Sequence, residues 1–124
     1  VTGKNYIIDA YGKLLHNQNF HDDEIEFSLN DFLKKNLPPV NAATRGYKSE
    51  IFKTFGNLDE NGNTEDSPSL LRSLYMGTGV YVPEFFISYR KHLASLSASN
   101  NLNDTYQILN RQYKSDLNIA KKTK

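Results

Sequence analysis

Oxygen-bearing side chains at alternate positions are the most chemically suggestive pattern in this chain. Asn57, Asp59, Asn61, Asn63 and Glu65 fall two residues apart around Gly62. Amide and carboxylate oxygens at that spacing suit a hard cation such as calcium, which takes about six to eight oxygens. A second cluster, His16, His21, Asp22, Asp23 and Glu24, is the one local concentration of imidazole and carboxylate ligands. Zinc asks for about three or four convergent ligands. Consecutive acids point in different directions unless the loop folds back, and acids are also favoured ahead of helix N-termini. A hydrated connector is the simpler account of the second cluster.

The loop from Asn57 is comparable with that of the calcium-binding helix–loop–helix motif. Gly62 is its sixth residue and helices are predicted on both sides. Asn57 replaces the usual first Asp, Thr64 the apolar eighth residue, and Pro68 stands where a bidentate Glu belongs. Losing that Glu removes two oxygens and a full charge from the cation. The comparison covers one loop, and the chain is not assigned to that family. A solvated turn rich in Asn, Gly and Asp explains the segment more simply.

Other chemistry finds less support. Gly77-Thr78-Gly79 follows a predicted helix, whereas a phosphate loop follows a strand and opens a helix. No G-x-S-x-G, H-E-x-x-H or dinucleotide fingerprint occurs, and the chain has no Cys. His92 reads as a packed, hydrogen-bonded residue rather than a general base. No catalytic residue and no cofactor is nominated, and the reading favours a protein that is not an enzyme. Arg90, Lys91, Arg111 and Lys114 suggest a basic face able to meet phosphate backbones. The formal net charge of +1 supplies no global field for nucleic acid, so solubilising charge on helix exteriors is the plainer reading. Asn103-Asp104-Thr105 matches a glycosylation sequon, but Asn at a helix start accounts for it.

Apolar spacing supplies the elements that would position these groups. Phe85, Phe86, Tyr89, Leu93 and Leu96 recur at helical intervals, as do Leu102, Tyr106, Leu109, Tyr113 and Leu117. The small polar run 97–101 between them has the length of a connector between antiparallel helices. The spacing therefore predicts a helical hairpin over Pro83–Leu117, opened by Pro83. Ile7, Ala10, Tyr11 and Leu14 predict a helix over residues 4–17; a β-hairpin turning near Tyr11-Gly12 is the rival reading. Residues 24–29 alternate like a strand but read as an extended entry into a helix capped by Ser28 and Asp31 and stopped at Pro38-Pro39. Further helices are predicted from Asn41 to Phe55, where Gly46 is a possible interruption and Gly56 the end, and from Ser67-Pro68 to Gly77.

The totals bound the rest. A chain of 124 residues makes one domain; it is 38% apolar by residue count, and eight Tyr and seven Phe add bulk to its core. The expected fold is mainly α: a single small domain of five or six helices over residues 1–117, with at most a minor β-hairpin. Residues 118–124 are expected to form a flexible basic tail. No apolar run reaches the length of a membrane span. The lack of Cys fits an intracellular protein, and a start at Val1 rather than Met fits a processed or trimmed end. Eight Tyr hydroxyls exceed what so small a core can satisfy, and Tyr is enriched at protein interfaces. The function expected is a non-catalytic protein–protein interaction module or assembly subunit. Tyr81, Phe86, Tyr89, Tyr106 and Tyr113 are its candidate contacts and another protein its partner. The alternatives are a small metal- or ligand-binding protein using loop 57–65, and a nucleic-acid-associated factor.

Overall fold

A computed structural model describes residues 1–16, 20–60, 65–92 and 102–123 of the chain. Its elements in order are β1 (Thr2–Ile8), β2 (Leu14–His16), β3 (Ile25–Phe27), α1 (Leu29–Leu33), a 3-10 turn (Ala42–Thr44), α2 (Glu50–Phe55), α3 (Asp66–Met76), β4 (Gly79–Arg90) and α4 (Leu102–Thr123). The strands form a mixed sheet in the order β2-β1-β4-β3. β1 and β4 are parallel, and both outer pairs are antiparallel. The fold is therefore mixed α/β, which corrects the expectation of a mainly α domain with five or six helices and at most a minor β-hairpin.

The helical hairpin over Pro83–Leu117 is corrected with it, because Phe85, Phe86 and Tyr89 of its first rod lie on β4. Leu93, Leu96 and the connector 97–101 lie outside the described residues. Only the second rod is a helix, and it continues to Thr123, with Ala120 buried where a fraying tail was expected. The misleading spacing has a physical origin. Tyr81, Phe85 and Tyr89 are four apart, which suits one strand face as well as one helix turn. Val80, Tyr81, Val82, Phe85, Phe86, Ile87 and Tyr89 are all β-favouring types, and pairing with β1 decides between the periods. Pro83 sits at a shift in register, where β1 steps from Gly3 to Lys4 while β4 steps from Val82 to Phe85. Having no N–H to donate, Pro83 fits a break in the ladder.

Where a helix was expected over residues 4–17, β1 and β2 form a hairpin over Thr2–His16. The Asp9 carboxylate accepts from the backbone N–H groups of Tyr11 at 2.9 Å and Lys13 at 2.8 Å. Gly12 takes φ +90°, a conformation that side-chain-bearing residues rarely adopt. That turn reverses the chain and places β2 beside β1. The Ser28 capping box forms as read: Asp31 N donates to the Ser28 hydroxyl and Ser28 N to the Asp31 carboxylate. The helix expected over Asn41–Phe55 is divided into the 3-10 turn and α2, with Gly46 between them. Gly56 follows α2 at φ +71°, and Gly77 follows α3.

The described residues pack as two compact units, one of residues 1–16, 20–46 and 78–92, the other of residues 47–60, 65–77 and 102–123. The first contains the sheet, α1 and the 3-10 turn, with Ile7, Phe27 and Tyr81 buried. A polar clamp fastens the 3-10 turn to β1. Thr44 Oγ1 donates to the Asn41 carbonyl at 2.9 Å and accepts from Gly3 N at 3.3 Å. With its one hydrogen used there, it accepts from Thr2 Oγ1 at 2.8 Å. Asn41 Nδ2 completes the clamp by donating to buried Asn5 at 3.1 Å. The second unit packs α2, α3 and α4 around Ile51, Phe55, Leu70, Leu74 and Ala120.

Two outcomes follow from this packing. A Cβ on Gly79 would land within the Phe27 ring, where β3 pairs with β4. Gly79→Ala is expected to cost about 1–3 kcal/mol in a urea unfolding curve, as overpacking does. Burial pushes the Tyr81 hydroxyl above its usual 10.0, the neighbouring Asp22 charge adding to it. A raised folded-state value keeps stability whole below about pH 10 and erodes it as pH climbs further. Ultraviolet titration should show Tyr81 ionising late, and Tyr81→Phe should remove that step.

Candidate functional site

The sheet of the first unit carries a cluster of aromatic rings that its core does not absorb. Tyr6 on β1 and Phe85 on β4 stack face to face, with centroids 3.9 Å apart and planes 4° apart. They are 37% and 39% exposed, values that separate them from Ile7, which is 6% exposed on the same strand. Phe20 meets Phe85 edge-on at 5.9 Å, and the Lys4 ammonium lies 5.7 Å from the Phe85 centroid. β1 pairs Lys4 with Phe85 and Tyr6 with Ser88, so strand alternation brings Lys4 and Tyr6 to the side where Phe85 stands. Lys4 Nζ also bonds Asp22 at 3.1 Å, which neutralises its charge locally. Phe86 turns to another neighbour: its ring lies against Gly3, where a Cβ would stand 3.1 Å from the ring and 2.8 Å from the Glu84 carbonyl oxygen. It remains 45% exposed.

The geometry narrows what this surface can do. Each ring of the stack covers one face of the other, and Phe20 and Lys4 lie against Phe85. The nearest ammonium is already paired with an acid, which weakens its attraction for a phosphate backbone. Edge contacts from apolar or aromatic side chains remain available, and such contacts are typical of protein interfaces.

The partner residues suggested by sequence are divided by the fold. Tyr81 is fully buried, and its hydroxyl donates to the His21 carbonyl at 3.0 Å. Phe86 and half-buried Tyr89 belong to the first unit, while Tyr106 and Tyr113 lie on α4 in the second. Tyr106 is 71% exposed. Burial raises the Tyr113 hydroxyl above its ordinary value, opposed by a hydrogen bond with Ser67. Tyr6, Phe85, Phe20 and Lys4 were not singled out from sequence. The alternation Lys4-x-Tyr6 and the β-favouring run Val80–Tyr89 are the signals that point to them.

The metal and nucleic-acid candidates are similarly distributed. The Asp59 carboxylate pairs with Arg111 at 3.5 Å, and Asp59 N donates to Gln112 Oε1 at 2.8 Å. Asn57 gives its carbonyl to Arg72 at 3.5 Å, and Glu65 immediately precedes α3. Asn61 and Asn63 lie outside the described residues. In the other cluster Asp22 holds Lys4, while His21, Asp23 and Glu24 are exposed. Among the described residues no group of three or more His, Asp or Glu side chains converges as a metal site. Arg90 Nη1 donates to the carbonyls of Asp9 at 3.2 Å and Ala10 at 2.7 Å. Arg90 and Lys91 belong to the first unit, Arg111 and Lys114 to the second.

The second unit holds a buried ion pair of structural character. Arg72 is completely buried and grips Asp116 with two bonds of 2.8 Å, from Nε and Nη2. Its Nη1 donates to the Gly56 carbonyl at 2.9 Å, and Phe55 lies 5.4 Å from the guanidinium. Gln112 Nε2 donates to the same carboxylate at 2.8 Å. The network ties the end of α2 and residues 56–59 to α3 and α4, and its Gln112 lines a cavity of about 80 Å³ together with Leu58, Asp59, Pro68, Ile108 and Leu109. Among the described residues no helix is long and apolar enough to cross a membrane.

Removing one member of this pair leaves an uncompensated buried charge. Asp116→Ala is expected to cost about 3–5 kcal/mol in chemical denaturation, whereas Arg72→Met with Asp116→Leu should recover most of that loss. Comparison with protein-family models, with curated protein sequences and with solved structures finds no match for this chain.

Proposed function

We propose that this chain is a non-catalytic protein-interaction module, with the Tyr6–Phe85 surface of the first unit as its contact. The observation that supports it is the stack itself: two large rings more than one-third exposed, ordered by mutual packing and by Phe20. Rigid aromatic rings lose little conformational freedom on binding and serve as anchors at interfaces. The balanced charge and the paired state of Lys4 favour a protein partner over a polyanion. Engagement of Asp59 by Arg111 weakens the cation reading of the 57–65 loop in the same way.

The test places a photo-crosslinking phenylalanine analogue at Tyr6, with Leu33 as control, since Leu33 is 69% exposed on α1 of the same unit. In native extract a discrete adduct with another protein is expected from position 6, competed by the unlabelled chain. After isolation, Phe85→Ala should weaken that complex at least tenfold, about 1.4 kcal/mol. Adducts no more frequent or specific at position 6 than at position 33 would refute the reading.

A further inference from the structure

The outer face of α4 carries cations and no acid. Burial fixes which face is outer, because Gln112, Asp116 and Ala120 recur every fourth residue and are buried. At about 3.6 residues per turn, the side directly away from them holds Gln107, Arg111, Lys114, Asn118, Lys121 and Lys122 within about 100° of arc. All six are exposed. The four cations extend about 16 Å along the helix axis. Between Tyr106 and Thr123 the sole acid is Asp116, which Arg72 holds in the interior. Asp104, the next acid upstream, lies in the first turn, about 10 Å before Arg111.

Charge in this unit is sorted rather than mixed. The other acids that the structure describes there are Glu50 on α2, Asp59 and Glu60 after it, and Glu65 and Asp66 at the start of α3. Of these, Asp59 reaches Arg111 at 3.5 Å, an exposed and therefore weak pair. Among the described residues no acid forms an ion pair with Lys114, Lys121 or Lys122. A formal net charge of +1 for the chain conceals this arrangement.

The composition of the arc selects its partner. Binding along a lipid surface buries a broad apolar helix face. Here the exposed apolar residues of α4 are Tyr106 and Leu117, at the border of the arc. Protein interfaces have apolar centres and are depleted in Lys, whereas the centre of this arc is wholly polar. Phosphate oxygens accept from Lys and Arg and equally from amide side chains such as those of Gln107 and Asn118. No aromatic ring lies in the arc to stack an unpaired base, so a paired duplex suits it better than a single strand.

We propose that the outer face of α4 docks on the phosphate backbone of a duplex nucleic acid through Arg111, Lys114, Lys121 and Lys122, without reading its bases. The surface lies in the second unit and does not rest on the Tyr6–Phe85 contact of the first. Tyr6→Ala should therefore leave duplex binding within about twofold of the parent.

The test is fluorescence anisotropy of a labelled mixed-sequence DNA duplex with the full chain, between about 50 and 200 mM salt. Three or four phosphate contacts give a slope of log K against log salt of about −3. Replacing Lys114, Lys121 and Lys122 together by Gln, a good helix former, should bring that slope to about −1 and weaken binding at the lowest salt at least about tenfold. Replacing Lys13, Lys34 and Lys35 of the first unit by Gln removes the same charge and should leave binding within about twofold. No binding of the parent at the lowest salt overturns the proposal, as does equal weakening by the two triple variants. Poly-glutamate that competes as well as unlabelled duplex at equal charge overturns it in favour of an acidic protein. Tighter binding to phosphatidylserine vesicles overturns it in favour of a membrane surface. Circular dichroism checks each variant for retained fold. If the α4 triple variant does not fold, Lys121→Gln with Lys122→Gln decides, and an unchanged slope in that pair overturns the proposal.

Discussion

The parallel ladder between β1 and β4 is the constraint on which the sheet unit depends. It joins a segment at the start of the described chain to one beginning at Gly79, with the helices α1, α2 and α3 between them in sequence. Parallel strands cannot be joined by a tight turn and need a long crossover. Everything from β2 to α3 is therefore inserted between two strands that are neighbours in space. Glycine at position 3 lets the Glu84 carbonyl and the Phe86 ring approach the ladder closely, and the ladder turns Lys4 and Tyr6 toward Phe85. Weakening the ladder would disturb the hydrophobic interior at Ile7 and Tyr81 and the exposed stack together, because both faces hang on the same backbone bonds.

The helical unit is organised differently, around charge taken out of water. An isolated buried guanidinium carries a large desolvation cost, which attraction to one carboxylate need not repay. Here Arg72 finds both oxygens of Asp116 and the Gly56 carbonyl, and Gln112 supplies a further donor to the acid. A fully satisfied network of this kind fixes a particular arrangement of α2, α3 and α4, which a purely apolar interface of the same volume would define less sharply. This accounts for how the most buried charged side chain in this unit is held within the packing.

How far the sequence revealed these features depended on the range of the interaction. The Ser28–Asp31 box spans three residues, its chemistry is complete within them, and it was legible. So were the glycines after α2 and α3, and the apolar stripe of α4. The β1 and β4 strands were not, because each is defined by the other. Phe85 and Tyr89 fit helical and extended spacing equally, and only the Thr2–Tyr81 to Ile8–Arg90 register distinguishes them. The Arg72–Asp116 pair left no trace for the same reason: its members are forty-four positions apart and each resembles an ordinary surface charge on its own helix. The candidate contact was legible only as an excess of aromatic residues, since stacking across Tyr6 and Phe85 requires the ladder first.

Counting tyrosines pointed to a surface role, but their fates differ by mechanism. Tyr81 satisfies its hydroxyl by reaching the His21 carbonyl and is thereby freed to be wholly buried. Tyr11 occupies the hairpin tip, where the turn is held by Asp9 and Gly12 and the ring is almost fully exposed. Tyr6 is the intermediate case: one face of its ring is covered by Phe85, and the residue stays 37% exposed. A solitary exposed ring samples several rotamers and offers a partner little preorganisation. A ring clamped in a parallel stack has already lost that freedom in the unbound protein, so less is lost on association. For that reason the weight of the functional argument falls on Tyr6 and Phe85 rather than on the more exposed Tyr11 or Tyr106.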